Sequence, residues 1–149
     1  MAIQEGDKAP DIKTSEFKLA DRRGKRVVLF FYPKSDTPGC TKEACEFRDA
    51  AKTFAKRDAV IVGLSPDKAP AQQKFAVKYD LPFTLVPDPE HAIAEAYGVW
   101  VEKSMYGRKF MGVERTTFVI GPDGRVLRVW RKVRVEGHAR QVLDSLHQS

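Results

Sequence analysis

The stretch VVLFFYPKSDTPGCTKEACEFRD, residues 27–49, decides the fold. It opens on six consecutive apolar or aromatic residues, 27–32, and stops at Pro33. Such a run with a proline stop is the pattern of a strand covered on both faces. The period then changes. Ala44, Phe47, Ala51, Phe54 and Ala55 recur at helical spacing, which predicts a helix over residues 41–57 with one apolar face. Between them lies a polar loop ending in Pro38-Gly39-Cys40. A buried strand handing over to a helix in this way is the start of an alternating α/β chain.

Cys40 and Cys45 are the only cysteines in 149 residues. Cys40 stands at the start of the helix, where backbone N–H groups are unpaired and the helix carries partial positive charge. That setting favours a thiolate, the reactive form of the side chain. A small buried hydrophobe is the commoner fate of a free cysteine, and Cys40 alone does not separate the two readings. Cys45 adds geometry. An i, i+5 pair on a helix lies about 140° apart around the axis, with Cα atoms roughly 8–9 Å apart. A disulfide needs them within roughly 7 Å. The thiols therefore cannot join while the helix is intact. Cys40 falls on the face of Ala44, Phe47 and Ala51, and Cys45 on the flank. This suits a thiol that reacts in a pocket and is trapped later by its neighbour, not a structural staple. A Cys-x-x-Cys exchange site is absent. The three histidines, His91, His138 and His147, are far off and lack ligand spacing, so no metal is expected.

Working outward, residues 59–64 (AVIVGL) read as a second buried strand, and residues 69–79 as a helix. A short strand over 83–86 precedes Pro87-Asp88-Pro89, and a short helix over 90–97 ends at Gly98. Strands over 116–120 and 125–133 flank Gly121-Pro122-Asp123-Gly124, a hairpin signal. A closing helix is expected over 137–147. Residues 99–114 show no clear period and are expected to form a loop. Together these elements predict one domain, 1–149, built on a mixed sheet with helices on both faces.

The bulk properties exclude several classes. No apolar run approaches a membrane span. No hydrophobic stretch follows Met1, so no secretory signal is expected and a cytoplasmic location is the default. In that compartment a disulfide is more readily transient and catalytic than permanent. Lys and Arg exceed Asp and Glu, 26 to 20. The basic residues are scattered, however, and the densest run, RVLRVWRKVR at 125–134, alternates as a strand. Val126 excepted, Leu127, Val129 and Val133 would share one face and Arg128, Lys132 and Arg134 the other, a solvated sheet face rather than a nucleic-acid surface. No nucleic-acid-binding motif, Walker loop, G-x-G-x-x-G or G-x-S-x-G is present.

At this point the chain resembles a known family. Residues 27–49 look like the active-site segment of peroxiredoxins, closest to the bacterioferritin comigratory protein, or Q-type, subgroup. The family pattern Pro-x3-Thr-x2-Cys is present as Pro33, Thr37 and Cys40, and the subgroup's second cysteine matches Cys45. KSMYGRKFMGVERTTFVIGPDG at 103–124 is similar to that subgroup and supplies Arg115, which matches the family's arginine. GDKAPDI at 6–12 resembles its opening. The resemblance implies a thioredoxin-like fold and a thiol peroxidase. It makes Cys40 the peroxidatic thiolate and Cys45 the resolving thiol. Arg115 would stabilise the thiolate and the peroxide oxygens. Thr37 would hydrogen-bond thiolate and peroxide, Pro33 would wall the pocket, and the backbone N–H groups of Cys40 and Gly39 would also donate. Glu43 would either support Arg115 or favour the helix N-terminus. The implied partners are a hydroperoxide and thioredoxin or a similar dithiol. No cofactor, nucleic acid or membrane is implied, and the subgroup is often monomeric. Met105, Tyr106, Phe110 and Met111 would line an apolar pocket for alkyl hydroperoxides or pack a mobile loop. A general disulfide oxidoreductase and a redox-sensing interaction protein would use the same two cysteines; only Thr37 and Arg115 separate them from a peroxidase.

Overall fold

The structure is a computed structural model and describes residues 3–146. The central sheet contains β1 (Arg26–Phe31), β2 (Ala59–Ser65), β3 (Thr84–Pro87), β6 (Thr116–Ile120) and β7 (Val126–Trp130), in the order β3-β2-β1-β6-β7. β1, β2 and β3 run parallel. β6 pairs antiparallel with β1, and β7 antiparallel with β6. The sheet is therefore mixed, as expected, with β1 at its centre. Five of the six residues of β1 are buried, because both of its faces are covered. Helices α1 (Pro38–Lys56), α2 (Ala69–Lys78) and α4 (His138–Ser145) cover one face, and α3 (Ala92–Ala96) lies on the other.

Each face carries its own core. Val28, Phe30 and Tyr32 point into one core with Phe47 and Phe54 of α1, Phe75 of α2 and Val142 of α4. Phe30 stacks on Phe47 with ring centroids 4.8 Å apart, which fixes α1 against the sheet. Leu29 and Phe31 point the other way, into a core with Tyr97, Val113, Phe118 and Ile120, closed by Ile12, Phe17 and Leu19 of the N-terminal segment.

The expected element order holds, with four local corrections. α1 begins at Pro38, three residues early, because proline at the first helical position needs no N–H partner. Ala55, placed on its apolar face, is exposed. α3 is shorter than expected: His91 is left-handed at φ +50°, and the Asp88 carboxylate accepts the N–H groups of Ile93 and Ala94, so the helix starts there. Leu127 is not on the inner face of β7. Val126 pairs with Ile120 and Arg128 with Val119, leaving Leu127 as the extra residue of a bulge, 42% exposed. The bulge also explains why Val126 is buried in the core against which half-buried Val129 packs.

The largest correction concerns residues 99–114. They form not a loop but a two-stranded antiparallel ribbon, β4 (Trp100–Met105) and β5 (Arg108–Val113). Tyr106 and Gly107 make its turn, both at positive φ. The root is anchored by buried Val113 and by Trp100, which stacks on His91. The closing helix ends at Ser145; His147 lies outside the described residues.

Candidate active site

Three segments converge at one end of the central strands. β1 ends at Phe31 and delivers the loop that leads into α1. β6 begins at Thr116, which pairs with Phe31. Arg115, one residue earlier, is thereby aimed at the N-terminus of α1.

Cys40 is the third residue of α1 and is buried at 1% exposure. The Nη2 of Arg115 donates to its sulfur at 3.1 Å. The Nη1 of the same guanidinium donates to Glu43 Oε1 at 2.7 Å. One turn of α1 separates Cys40 from Glu43, so a single planar group spans both. Gly39 leaves room for it: a Cβ there would lie 3.4 Å from Arg115 Nη2. The main chain of Arg115 is held as well, its carbonyl accepting the N–H of Val133.

The charges are strained by burial. Desolvation raises the Glu43 carboxyl from 4.5 to about 7, against the pull of Arg115. Its second oxygen, Oε2, has no hydrogen-bond partner among the described residues. Burial pulls Arg115 down, but the charges of Glu43 and Cys40 and its bonds to them outweigh that and raise it overall. Of the two roles open to Glu43, the geometry selects support of Arg115.

Thr37 is the N-cap of α1 by backbone conformation, but its side chain makes no capping bond. Its hydroxyl donates to Lys34 O at 2.8 Å. The single hydroxyl proton is thus committed to the loop, and the oxygen lone pairs remain as acceptors. Pro33 is half-buried where the chain leaves the sheet. Cys45 is half-buried, and both cysteines are free thiols. Arg115 therefore bonds both Cys40 and Glu43, while among the described residues no hydrogen bond joins Thr37, Pro33 or Cys45 to them.

Four further side chains hold the loop. Asp67 Oδ2 accepts the N–H of Ser35 and the hydroxyl of Ser65, each at 2.7 Å. Ser35 in turn bonds Tyr32 Oη at 3.0 Å. Asp36, at φ +61°, accepts from Lys78 Nζ and Tyr79 Oη, each at 2.9 Å. Nothing local in the sequence marks Asp67. Its signal is topological: β1 and β2 are parallel neighbours, so their C-terminal ends must meet.

Met105, Tyr106, Phe110 and Met111 are 58%, 98%, 43% and 50% exposed. They pack no core, as neither a pocket lining nor the packing of a loop would leave them, because among the described residues nothing covers the ribbon beyond its root.

Comparison with known proteins follows the same lines. Residues 6–129 match the model of the AhpC/TSA family. Peroxiredoxin Bcp of Bacillus subtilis is 48% identical over 151 residues, spanning 98% of this chain and 96% of that protein. A cysteine-to-serine mutant of PrxQ from Xylella fastidiosa has a similar structure, with a TM-score of 0.89 at 33% identity over 99% of this chain and 97% of the other. The bacterioferritin comigratory protein of Xanthomonas campestris gives a TM-score of 0.84 at 40% identity over 88% and 83%.

Proposed function

The chain belongs to the AhpC/TSA family and is a peroxiredoxin of the Bcp/PrxQ kind, hence a peroxidase, and on that premise we propose that Cys40 is its peroxidatic and Cys45 its resolving cysteine. The observation that carries this assignment is the Arg115 guanidinium shared between Cys40 Sγ and Glu43. A cation fixed at hydrogen-bond distance favours the sulfur as an anion and lies where oxygen charge develops during attack.

The chemistry runs as follows. The Cys40 thiolate attacks the outer oxygen of a hydroperoxide. A sulfur–oxygen bond forms as the oxygen–oxygen bond breaks, and the alkoxide leaves with the hydroperoxide's own proton as an alcohol (water, when the substrate is hydrogen peroxide). Cys40 is left as a sulfenate, the first reversible step of thiol oxidation. The unpaired N–H groups of the first turn of α1, at Gly39 and Cys40, donate to the attacked oxygen. Thr37 offers its free lone pairs to the O–H of the incoming hydroperoxide, while Lys34 O holds its proton. Pro33 restricts water at the loop. Arg115 and these donors align the reacting atoms before the bond breaks.

Resolution requires movement. The first turns of α1 unwind, the Cys40 sulfenate takes a proton from solvent, the Cys45 thiol attacks the resulting sulfenic acid, and water leaves as the disulfide forms. An external dithiol, in the thioredoxin class, then returns two electrons and two protons. The Xanthomonas campestris protein is described in terms of alkyl peroxide reduction. For this chain we infer hydrogen peroxide and organic hydroperoxides. No described helix is long and apolar enough to cross a membrane.

Peroxide consumption coupled to a thioredoxin system tests the proposal. Cys40→Ser is expected to abolish turnover, and full turnover in that variant would refute it. Cys45→Ser is expected to reduce one equivalent of peroxide and stop at a Cys40 sulfenate, detectable by mass. Unchanged turnover would remove Cys45 from the cycle. A disulfide oxidoreductase would instead exchange quickly with dithiols and show no special rate with peroxide.

A further inference from the structure

The ribbon β4–β5 has two unlike faces. Cross-strand partners share a face and successive residues alternate, so Val101, Lys103, Met105, Arg108, Phe110 and Gly112 lie on one side. Trp100, Glu102, Lys109, Met111 and Val113 lie on the other. This second face is tied up: Val113 is buried, Trp100 stacks on His91, and Glu102 pairs with Lys109 at 3.7 Å. Met111 alone is exposed and apolar there. The first face is open. Met105 and Phe110 are exposed diagonal neighbours on it, and Tyr106 stands at the turn beside them. Its charges are Lys103 and Arg108, and it carries no acid; Glu114 lies past the end of β5, at the root. Neither cation makes an ion pair or a hydrogen bond among the described residues. Met105, Tyr106, Phe110 and Met111 are four of the six large apolar side chains exposed among the described residues; the other two, Val77 and Leu127, stand apart on α2 and β7. Clustered exposure of this kind marks an interaction surface, whereas scattered exposure does not.

We propose that the first face of the ribbon is the docking surface for the protein dithiol that reduces the Cys40–Cys45 disulfide, and that it selects a partner whose contact surface is apolar at its centre and acidic at its rim. The inference rests on the roles assigned to those two cysteines. Position is the first argument for this occupant. β5 leads through Glu114 into Arg115, whose guanidinium bonds the Cys40 sulfur. From root to turn the ribbon extends only about 17 Å, at about 3.4 Å per residue. A dithiol protein of about 100 residues has a radius of gyration of about 13 Å, so one seated over the disulfide is broad enough to meet the ribbon as well. A hydroperoxide needs no such surface. Charge is the second argument. An apolar pair flanked by two unpaired cations is complemented by apolar contact flanked by carboxylates, and that complementarity steers encounter. The third is one-sidedness. A lipid surface would surround the tip, but the Met105–Phe110 pair and both unpaired cations share one side, while the Glu102–Lys109 pair closes the charge of the other. One-sided contact is what a folded protein makes. The surface is small, as suits a transient redox encounter.

Turnover at saturating hydrogen peroxide, with either thioredoxin or dithiothreitol as reductant, tests this, because dithiothreitol needs no docking surface. Phe110→Ser and Arg108→Glu are each expected to lower kcat/KM for thioredoxin about tenfold, mainly through KM. Both are expected to leave the dithiothreitol rate and the oxidation of Cys40 by hydrogen peroxide unchanged. Arg108→Lys is expected to keep the parent's rate. Added salt is expected to slow the parent with thioredoxin more than it slows Arg108→Glu. Thermal melts identify any variant that does not fold, and the two Arg108 variants alone suffice to decide. Equal thioredoxin kcat/KM in the parent and the folded variants would overturn the proposal. So would variants that lose binding to anionic phospholipid vesicles, or lose a dimer in sedimentation velocity, with thioredoxin kinetics intact; the occupant would then be a lipid surface or a second copy of the chain. A parent that turns over with dithiothreitol but not with thioredoxin would overturn the proposal and leave Cys40 and Cys45 in their roles. Failure of the parent to consume peroxide with either reductant would instead overturn those roles.

Discussion

Arg115 serves two partners with one planar group, and a lysine cannot. Its point charge on a flexible stem would reach the sulfur or Glu43, not both in fixed geometry. Arg115→Lys is therefore expected to lower the second-order rate with hydrogen peroxide by about a hundredfold or more, with the melting curve little changed; stopped-flow fluorescence gives that rate. Glu43 presents the opposite balance. The folded carboxyl keeps its proton up to about pH 7, whereas the unfolded one loses it near 4.5. Its contribution to stability is present in full below pH 4.5 and is lost as the pH rises through 7. Glu43→Gln cannot ionise, so its melting temperature relative to the parent is expected to rise from about pH 5 to about pH 8, by several degrees. Above about pH 7, where the parent's carboxyl is charged, the variant's peroxide rate is expected to fall about tenfold relative to the parent, because nothing charged then pins the guanidinium, and the two rates are expected to converge below it. Equal pH dependence of melting in both proteins would contradict the burial argument. Cys40 was legible from its place where a buried strand hands over to a helix, whereas Thr37 and Arg115 were legible only through the resemblance of the segments that carry them to the peroxiredoxin pattern. The part played by Glu43 was not, because an acid in the first turn of a helix is also favoured by the helix itself.

Between elements, α2 ties down the segment that the proposed resolution step would move. Its C-terminal end holds the loop through Lys78, Tyr79 and Asp36, and holds α1 through Arg48, whose Nη1 donates to Tyr79 O at 2.8 Å. The Asp36 contacts are exposed and solvent-screened, so they form a weak latch. Asp36→Ala is then expected to speed disulfide formation after one equivalent of peroxide by up to about fivefold, with faster hydrogen exchange at residues 38–45. An unchanged rate would mean that the latch does not restrain the helix. The sequence gives a clear account of α1 and the central strands, because burial on one or two faces imposes a period. It is silent on the ribbon for the same reason. Beyond Trp100 and Val113 neither ribbon face is fully covered, so no alternation is imposed. Its turn is Tyr106-Gly107 rather than the Asn-Gly or Asp-Gly that marks a hairpin.

Across the whole molecule, the two cores meet only through β1 and its neighbours, so small changes there travel far. A Cβ on Gly63 would lie 2.7 Å from Leu85 Cδ2 and 2.8 Å from Phe30 Cζ. Phe30 cannot simply retreat, because it stacks on Phe47. Gly63→Ala is expected to destabilise the protein by about 1–3 kcal/mol in urea unfolding and to lower the peroxide rate as well, since Phe47 lies on the helix that carries Cys40. A stability loss without a rate loss would show that α1 absorbs the shift. The mixed sheet was readable from element order alone; the bulge at Leu127 was not, since it depends on the register between β6 and β7. One feature of that sheet bears on every cycle of the enzyme. Arg115 enters β6 directly beside the Phe31–Thr116 pair of the central sheet, whereas its sulfur partner rides on the first turn of α1, which the proposed cycle requires to unwind. The guanidinium is thus a fixed landmark. Under the proposed cycle, the returning thiol has no search to make after each excursion, and a thiol that lingers oxidised beside that landmark would stay exposed to a second equivalent of the same oxidant.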